Sequence, residues 1–193
     1  DGMTKATRRA CALGSALTLL MTSLPSIAST FLAMDLTDLA AESDAVVRGE
    51  VLSVESFWDA EHRVILTDAQ LRIDERLAGD LGPNRVVMIR TFGGTVGDYE
   101  IVAHGFPKFE AGEELVLFVT RHADRTLQVT GYQLGQYEVL ERGGVEVAVP
   151  SWDGGATLVD RSGELVAGPV TVALDELRHI HEGWLPSYMK VAH

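Results

Sequence analysis

Chemistry at neutral pH needs groups that ionise, attack or chelate, and this chain of 193 residues holds few of them in useful patterns. Its histidines are His62, His104, His122, His179, His181 and His193. His179 and His181 stand two apart on a predicted helix, so they point about 200° apart and do not share a metal from one face. The His-Glu-x-x-His spacing of a zinc protease helix is absent, and no metal site is expected. There is no Gly-x-Ser-x-Gly elbow to present a serine nucleophile. Asp74-Glu75 and Glu113-Glu114 are sequence neighbours, so each pair splits across a strand, while Asp175-Glu176 falls on a helix surface. Solvated faces account for all three, with no acid–base layout among them.

The stretch "TFGGTVGDYEIVAHGFPKFEAGEE" (Thr91 to Glu114) invites comparison with a phosphate-binding loop. Such a loop opens a helix and ends in Lys-Ser or Lys-Thr. Here Gly93, Gly94 and Gly97 lead to Asp98, with no lysine and no helical period, so neither a nucleotide nor any other cofactor is expected. The aromatic residues of the stretch carry more signal. Phe92, Tyr99, Phe106 and Phe109 cluster with glycines at strand ends, where binding surfaces on rigid scaffolds usually reside. They either plug a barrel end or form a binding lip. The candidate binding set is therefore Phe92, Gly93, Gly94, Thr95, Tyr99, His104, Phe106 and Phe109. No catalytic residue is assigned. The enzymatic alternative is a hydrolase that brings His104 together with Asp98 or Glu100 only in three dimensions.

The elements that must position this stretch read as strands. Asp44–Asp59 carries apolar residues on both parities with Gly49 inside, the pattern of a bent or bulged strand. In Val64–Gly79, Ile65, Thr67, Ala69, Leu71 and Ile73 share one face. Arg85–Thr91 is a third strand, Glu113–Arg121 a fourth that suits burial on both faces, and Thr126–Glu141 supplies one or two more, broken near Gly131 or Gly135. A short helix at Met34–Ser43, capped by Asp35, leads in. Turns at Arg142–Gly144 and Asp160–Gly163 separate short valine-rich strands. Thr171–Trp184 reads as a closing helix with Leu174, Leu177 and Ile180/His181 as its stripe. The expected fold is mainly β: a five-stranded, OB-like closed barrel with a short N-terminal helix and a C-terminal hairpin-plus-helix extension.

Residues 1–28 have the layout of a secretory signal peptide. Lys5, Arg8 and Arg9 precede an apolar run over Ala10–Leu20, and Ser26-Ile27-Ala28 follows Pro25 as a small-x-small cleavage site. Its removal predicts a barrel domain over 29–141 and an extension over 142–193, in a secreted or periplasmic protein. It also removes Asp1, Lys5, Arg8, Arg9 and the lone Cys11, leaving 27 acidic against 13 basic residues, a balance of −14. That surface repels nucleic acid and anionic lipid, so neither is an expected partner. With no cysteine left, the core must stabilise the fold without disulfides.

Several blocks in order resemble a group of uncharacterised secreted bacterial OB-like domains. They are "ESDAVVRGEVLSVESFWD", "LTDAQLRIDERLAGD", "VVMIRTFGGTVG" and "GFPKFEAGEELVLFV", covering about residues 36 to 141. The layout is more distantly similar to netrin-like domains and tissue inhibitors of metalloproteinases. Such bacterial domains are often encoded near, or joined to, exported zinc metalloproteases. The resemblance implies the fold and a protein-binding role. With the catalytic constellation absent and an aromatic–glycine loop on a barrel, the expected function is a non-enzymatic protein-binding or protease-regulating module, a monomer with an exported protein or metalloprotease as partner. A purely structural envelope domain is the further alternative. The inhibitors chelate the protease zinc through an N-terminal Cys-x-Cys, which this chain lacks at Ser29–Leu36, so that mechanism does not carry over.

Overall fold

The structure, a computed structural model, describes residues 29–122 and 126–183. The expected signal peptide, with Cys11, lies outside the described residues. The chain enters through β1 (Thr30–Leu32) and α1 (Leu36–Glu42). As expected, Asp35 caps the helix: its Oδ1 accepts the Asp38 N–H at 2.8 Å, satisfying one of the helix's unpaired N-terminal donors.

Alternating apolar residues then build long strands. In β3 (Ile65–Gly79), Ile65, Thr67, Ala69, Leu71 and Ile73 are buried, and the residues between them are not. β2 (Ala45–Trp58) pairs with it through register shifts at Val46/Val47, Arg48/Gly49 and Val51/Ser53, which bend the strand. Glycine is required at the second shift, since a Cβ on Gly49 would stand 2.1 Å from the Arg72 carbonyl oxygen. β4 (Val86–Phe92) follows, then the small hairpin of β5 (Gly94–Val96) and β6 (Tyr99–Ile101). β7 (Glu114–Arg121) pairs with β2 and with β8 (Leu127–Val129). Closure comes where β8 meets β4 in parallel at Ile89 and Leu127. The circuit β2-β3-β4-β8-β7 is the expected five-stranded, OB-like closed barrel.

The segment expected as one or two strands over Thr126–Glu141 divides at Gly131, whose φ of 65° ends β8 and starts a 3-10 turn at Tyr132–Gly135. β9 (Gln136–Arg142) and β10 (Val145–Pro150) form a hairpin about Gly143-Gly144 and extend the sheet outward from β7. β11 (Thr157–Val159) pairs in parallel with β1. β12 (Val172–Ala173) pairs with β10, so helix α2 (Leu174–Gly183) begins three residues after the expected Thr171 cap. Leu174 and Leu177 of its stripe are fully buried.

Two cores result. The barrel lumen holds Val47, Val51, Ala69, Leu71, Ile89, Leu115, Leu117 and Val119. A second core on the outside of the barrel wall joins Val46, Val116, Phe118, Tyr137, Ala148, Leu174 and Leu177 under α1, α2 and the β9–β10 hairpin. β7 is therefore buried on both faces, as its continuous apolar run predicts. Burial in the second core pushes the Tyr137 phenol up to about 12.

Arg48 ties this outer layer to the barrel. Its guanidinium donates to Glu114 at 2.6 Å and to Glu146 at 2.5 and 3.1 Å. Arg178 of α2 donates to both oxygens of Glu75 at 2.9 and 3.1 Å. Glu75 also lies 3.9 Å from Arg48, and Glu146 lies 3.7 Å from Arg178. Glu75 and Glu114, expected as solvated carboxylates, thus belong to one network that spans β2, β3, β7, β10 and α2. Hydrogen bonding from Arg178 holds the Glu75 carboxyl below its ordinary value, and Arg48 does the same for Glu146.

Candidate binding rim at the barrel mouth

At the end of β4 the chain must leave the barrel wall and cross its open end. Two glycines permit this. Gly93 has φ of 94° and Gly94 of 129°, conformations that side chains rarely adopt. A Cβ on Gly94 would also meet Thr67 Oγ1 at 2.3 Å and Ser56 Oγ at 2.4 Å. Thr67 Oγ1 donates to the Gly93 carbonyl at 2.7 Å. Its proton is thereby committed, so Ser56 Oγ donates to Thr67 Oγ1 across 2.8 Å. This seats the root of the β5–β6 hairpin directly on the rim of the barrel.

The return path is held at several points. Thr91 Oγ1 donates to the Pro107 carbonyl at 3.1 Å, and Gln136 Nε2 donates to the Lys108 carbonyl at 2.6 Å. The Gln133 N–H donates to the Gly105 carbonyl at 2.9 Å. Lys108 Nζ reaches Asp153 at 3.1 Å. Burial raises the Asp153 carboxyl, but the Gly155 N–H and the Lys108 ammonium outweigh it and leave the group below its ordinary value. Farther on, burial pushes the Glu113 carboxyl up even though it accepts the Glu110 N–H at 2.7 Å.

Between the hairpin, the return path and the end of β2 lies a cleft of about 430 Å³. It brings together Phe92, Gly93, Gly94, Thr95 and Phe109 of the expected set; Tyr99, His104 and Phe106 do not line it. The choice between plug and lip divides among the aromatics. Phe109 is buried in the lumen core and plugs the barrel. Tyr99 stands out in solvent with 67% of its surface exposed, its ring edge-on to Trp58 at 5.7 Å. Phe106 and Phe92 do neither. Both are half-buried and join the half-buried Phe31 and the exposed Tyr132 in an aromatic cluster, with Phe106 4.8 Å from Tyr132 and 5.6 Å from Phe92. Gly105 lets Phe31 into that cluster, since a Cβ there would fall 2.4 Å from its ring.

Sequence reasoning missed Ser56, Thr67, Phe31 and Tyr132. A hydroxyl at the lumen parity of β3, Thr67 among Ile65 and Ala69, was the one available signal, because a buried hydroxyl needs a partner. Phe31 and Tyr132 are brought together only by the fold.

His104 is exposed, and among the described residues its ring has no hydrogen bond or ion pair with Asp98 or Glu100. Among the described residues no three of His, Cys, Asp and Glu gather as metal ligands, and no helix is long and apolar enough to cross a membrane. What the rim offers is a rigid contact surface: the exposed Tyr99 ring, with main-chain groups and hydroxyls around a shallow cleft. No family model and no curated protein matches the chain.

Proposed function

We propose that the chain is an exported, non-enzymatic binding module of the OB-like type, which grips a protein or peptide with the rim of its barrel mouth. The observation that carries this reading is Tyr99. It is a large aromatic ring, exposed but braced against Trp58, on a hairpin whose root is packed onto Ser56 and Thr67. Rigid exposed aromatics supply contact area at low entropic cost and recur as binding hot spots. The lumen is filled by side chains, Phe109 included, which favours a surface-bound partner over a small molecule held inside. The similarity to domains encoded beside exported metalloproteases makes such a protease the first partner to test.

The experiment is capture of exported proteins on the immobilised full chain, followed by affinity measurement for the protein recovered. Tyr99→Ala is expected to weaken that affinity about 30-fold, the effect of losing a hot spot of about 2 kcal/mol. Its melting temperature should match the unsubstituted chain, because the ring is exposed. Unchanged affinity in the Tyr99 variant would sink the proposal.

A further inference from the structure

β2 is longer than its partner on one side. β7 pairs only with Ala45–Glu50, and the last bonds on that side are Val51 N–H to the Glu113 carbonyl at 2.9 Å and Gly112 N–H to the Val51 carbonyl at 2.8 Å. Beyond the register shift at Val51/Ser53, the phase of the strand follows from its other edge. Asp59 N–H donates to the Val64 carbonyl, so Phe57 and Glu55 also face β3. Val54, Ser56 and Trp58 therefore direct their N–H and C=O groups away from β3. Among the described residues, no backbone hydrogen bond is made to these six groups. An open edge of this kind is a template for another strand.

The space beside that edge is the rim cleft. Val54 and Ser56 form one wall, and Val102, Ala103, Lys108 and Phe109 stand opposite. The two faces of the edge differ in character. On the cleft face are Val54, Ser56 and the lumen plug Phe109. On the other face is Glu55, while Glu110 adds negative charge around the rim and Glu100 stands on the far wall of the cleft; none of the three makes an ion pair among the described residues. The nearby cations are engaged: Lys108 by Asp153, Arg63 by Glu61 and Arg90 by Asp68.

We infer that β2 accepts an extended peptide as an added strand along Val54–Trp58, and that the peptide alternates apolar residues toward the cleft with basic residues toward Glu55. This deepens the rim-binding reading and rests on it, naming the partner's contacting element as a cationic, strand-forming segment. Main-chain bonding supplies affinity in this mode, and the alternate side chains supply selectivity. Val54 to Trp58 spans about 13 Å, so roughly four to six peptide residues engage.

The test uses the isotope-labelled full chain and three synthetic probes. They are acetyl-Val-Lys-Val-Lys-Val-Lys-amide, its glutamate counterpart, and the lysine peptide N-methylated at every residue. The lysine peptide is expected to bind and to slow hydrogen exchange at the Val54, Ser56 and Trp58 amides at least tenfold. The glutamate peptide should bind at least tenfold more weakly, and the N-methylated peptide should not protect these amides. Binding without protection of the three amides, equal binding after N-methylation, or no binding of any probe overturns the inference. In each of those cases the rim reading stands if Tyr99→Ala still weakens capture of the exported partner, and falls with the inference if it does not.

Discussion

Replacing Phe118 with alanine is expected to cost about 3–5 kcal/mol of unfolding free energy. The ring is fully buried on the outer face of β7 and lies 6.0 Å from that of Tyr137. Collapse around the missing ring is restricted. Gly135 already packs so closely that a Cβ on it would lie 3.2 Å from Phe118 Cβ, and the facing positions come from separate elements. The lost transfer energy is thus joined by that of a persistent cavity. For a domain of this size each kcal/mol moves the melting temperature by about 2–4 °C, so a fall on the order of 10 °C is expected. Denaturant titration supplies the free energy directly, with an unchanged slope showing that the folded state is otherwise intact. A loss below about 1 kcal/mol would show that the outer layer is no true core.

Arg48→Met should cost about 2 kcal/mol near pH 7, less than the roughly 3–5 kcal/mol of breaking a fully buried ion pair, since its partners are partly in water. The arginine side chain is only 15% exposed, while Glu75, Glu114 and Glu146 are 36%, 42% and 44% exposed. Removing the cation leaves three carboxylates converging on one spot. The loss must depend on pH in a fixed direction. The Glu146 carboxyl is held below its ordinary 4.5 by Arg48, so its share of stability is present above that value and disappears as pH falls through the lowered folded value. Glu75 behaves likewise, chiefly through Arg178. Glu113 has the opposite sign, because burial raises it and acid relieves its charge. The difference between the unsubstituted chain and Arg48→Met should therefore shrink below about pH 4.5. Melts at pH 7 and pH 3.5 check this, and a gap that widened in acid would contradict the network.

The strands were legible because a sheet face writes itself as period two: Ile65, Thr67, Ala69, Leu71 and Ile73 could be assigned from spacing alone, and all are buried. Gly49 inside an apolar run likewise announced the bend of β2. The roles of the aromatics were not legible. Phe109 and Tyr99 sit in the same stretch with similar neighbours, and only the path of the chain over the barrel end sends one into the lumen and the other into solvent. Arg48 shows a second limit. In sequence it is one polar residue in "AVVRGEV", and its partners Glu75, Glu114 and Glu146 are distant along the chain. The open edge at Val54–Trp58 is hidden for a related reason, since where β7 stops pairing is a matter of register, and no single segment encodes register.

A strand that serves two cores also dictates how the molecule comes apart. Leu115, Leu117 and Val119 of β7 close the lumen, while Val116 and Phe118 close the outer layer. Neither layer can open without baring one side of β7 to water, so each loses its main reason to persist once the other is gone. The barrel and the C-terminal layer then share one melting event, and calorimetry of the whole chain should trace a single peak. Cutting the chain after β9 would free no self-sufficient barrel, only one whose wall is apolar on the outside.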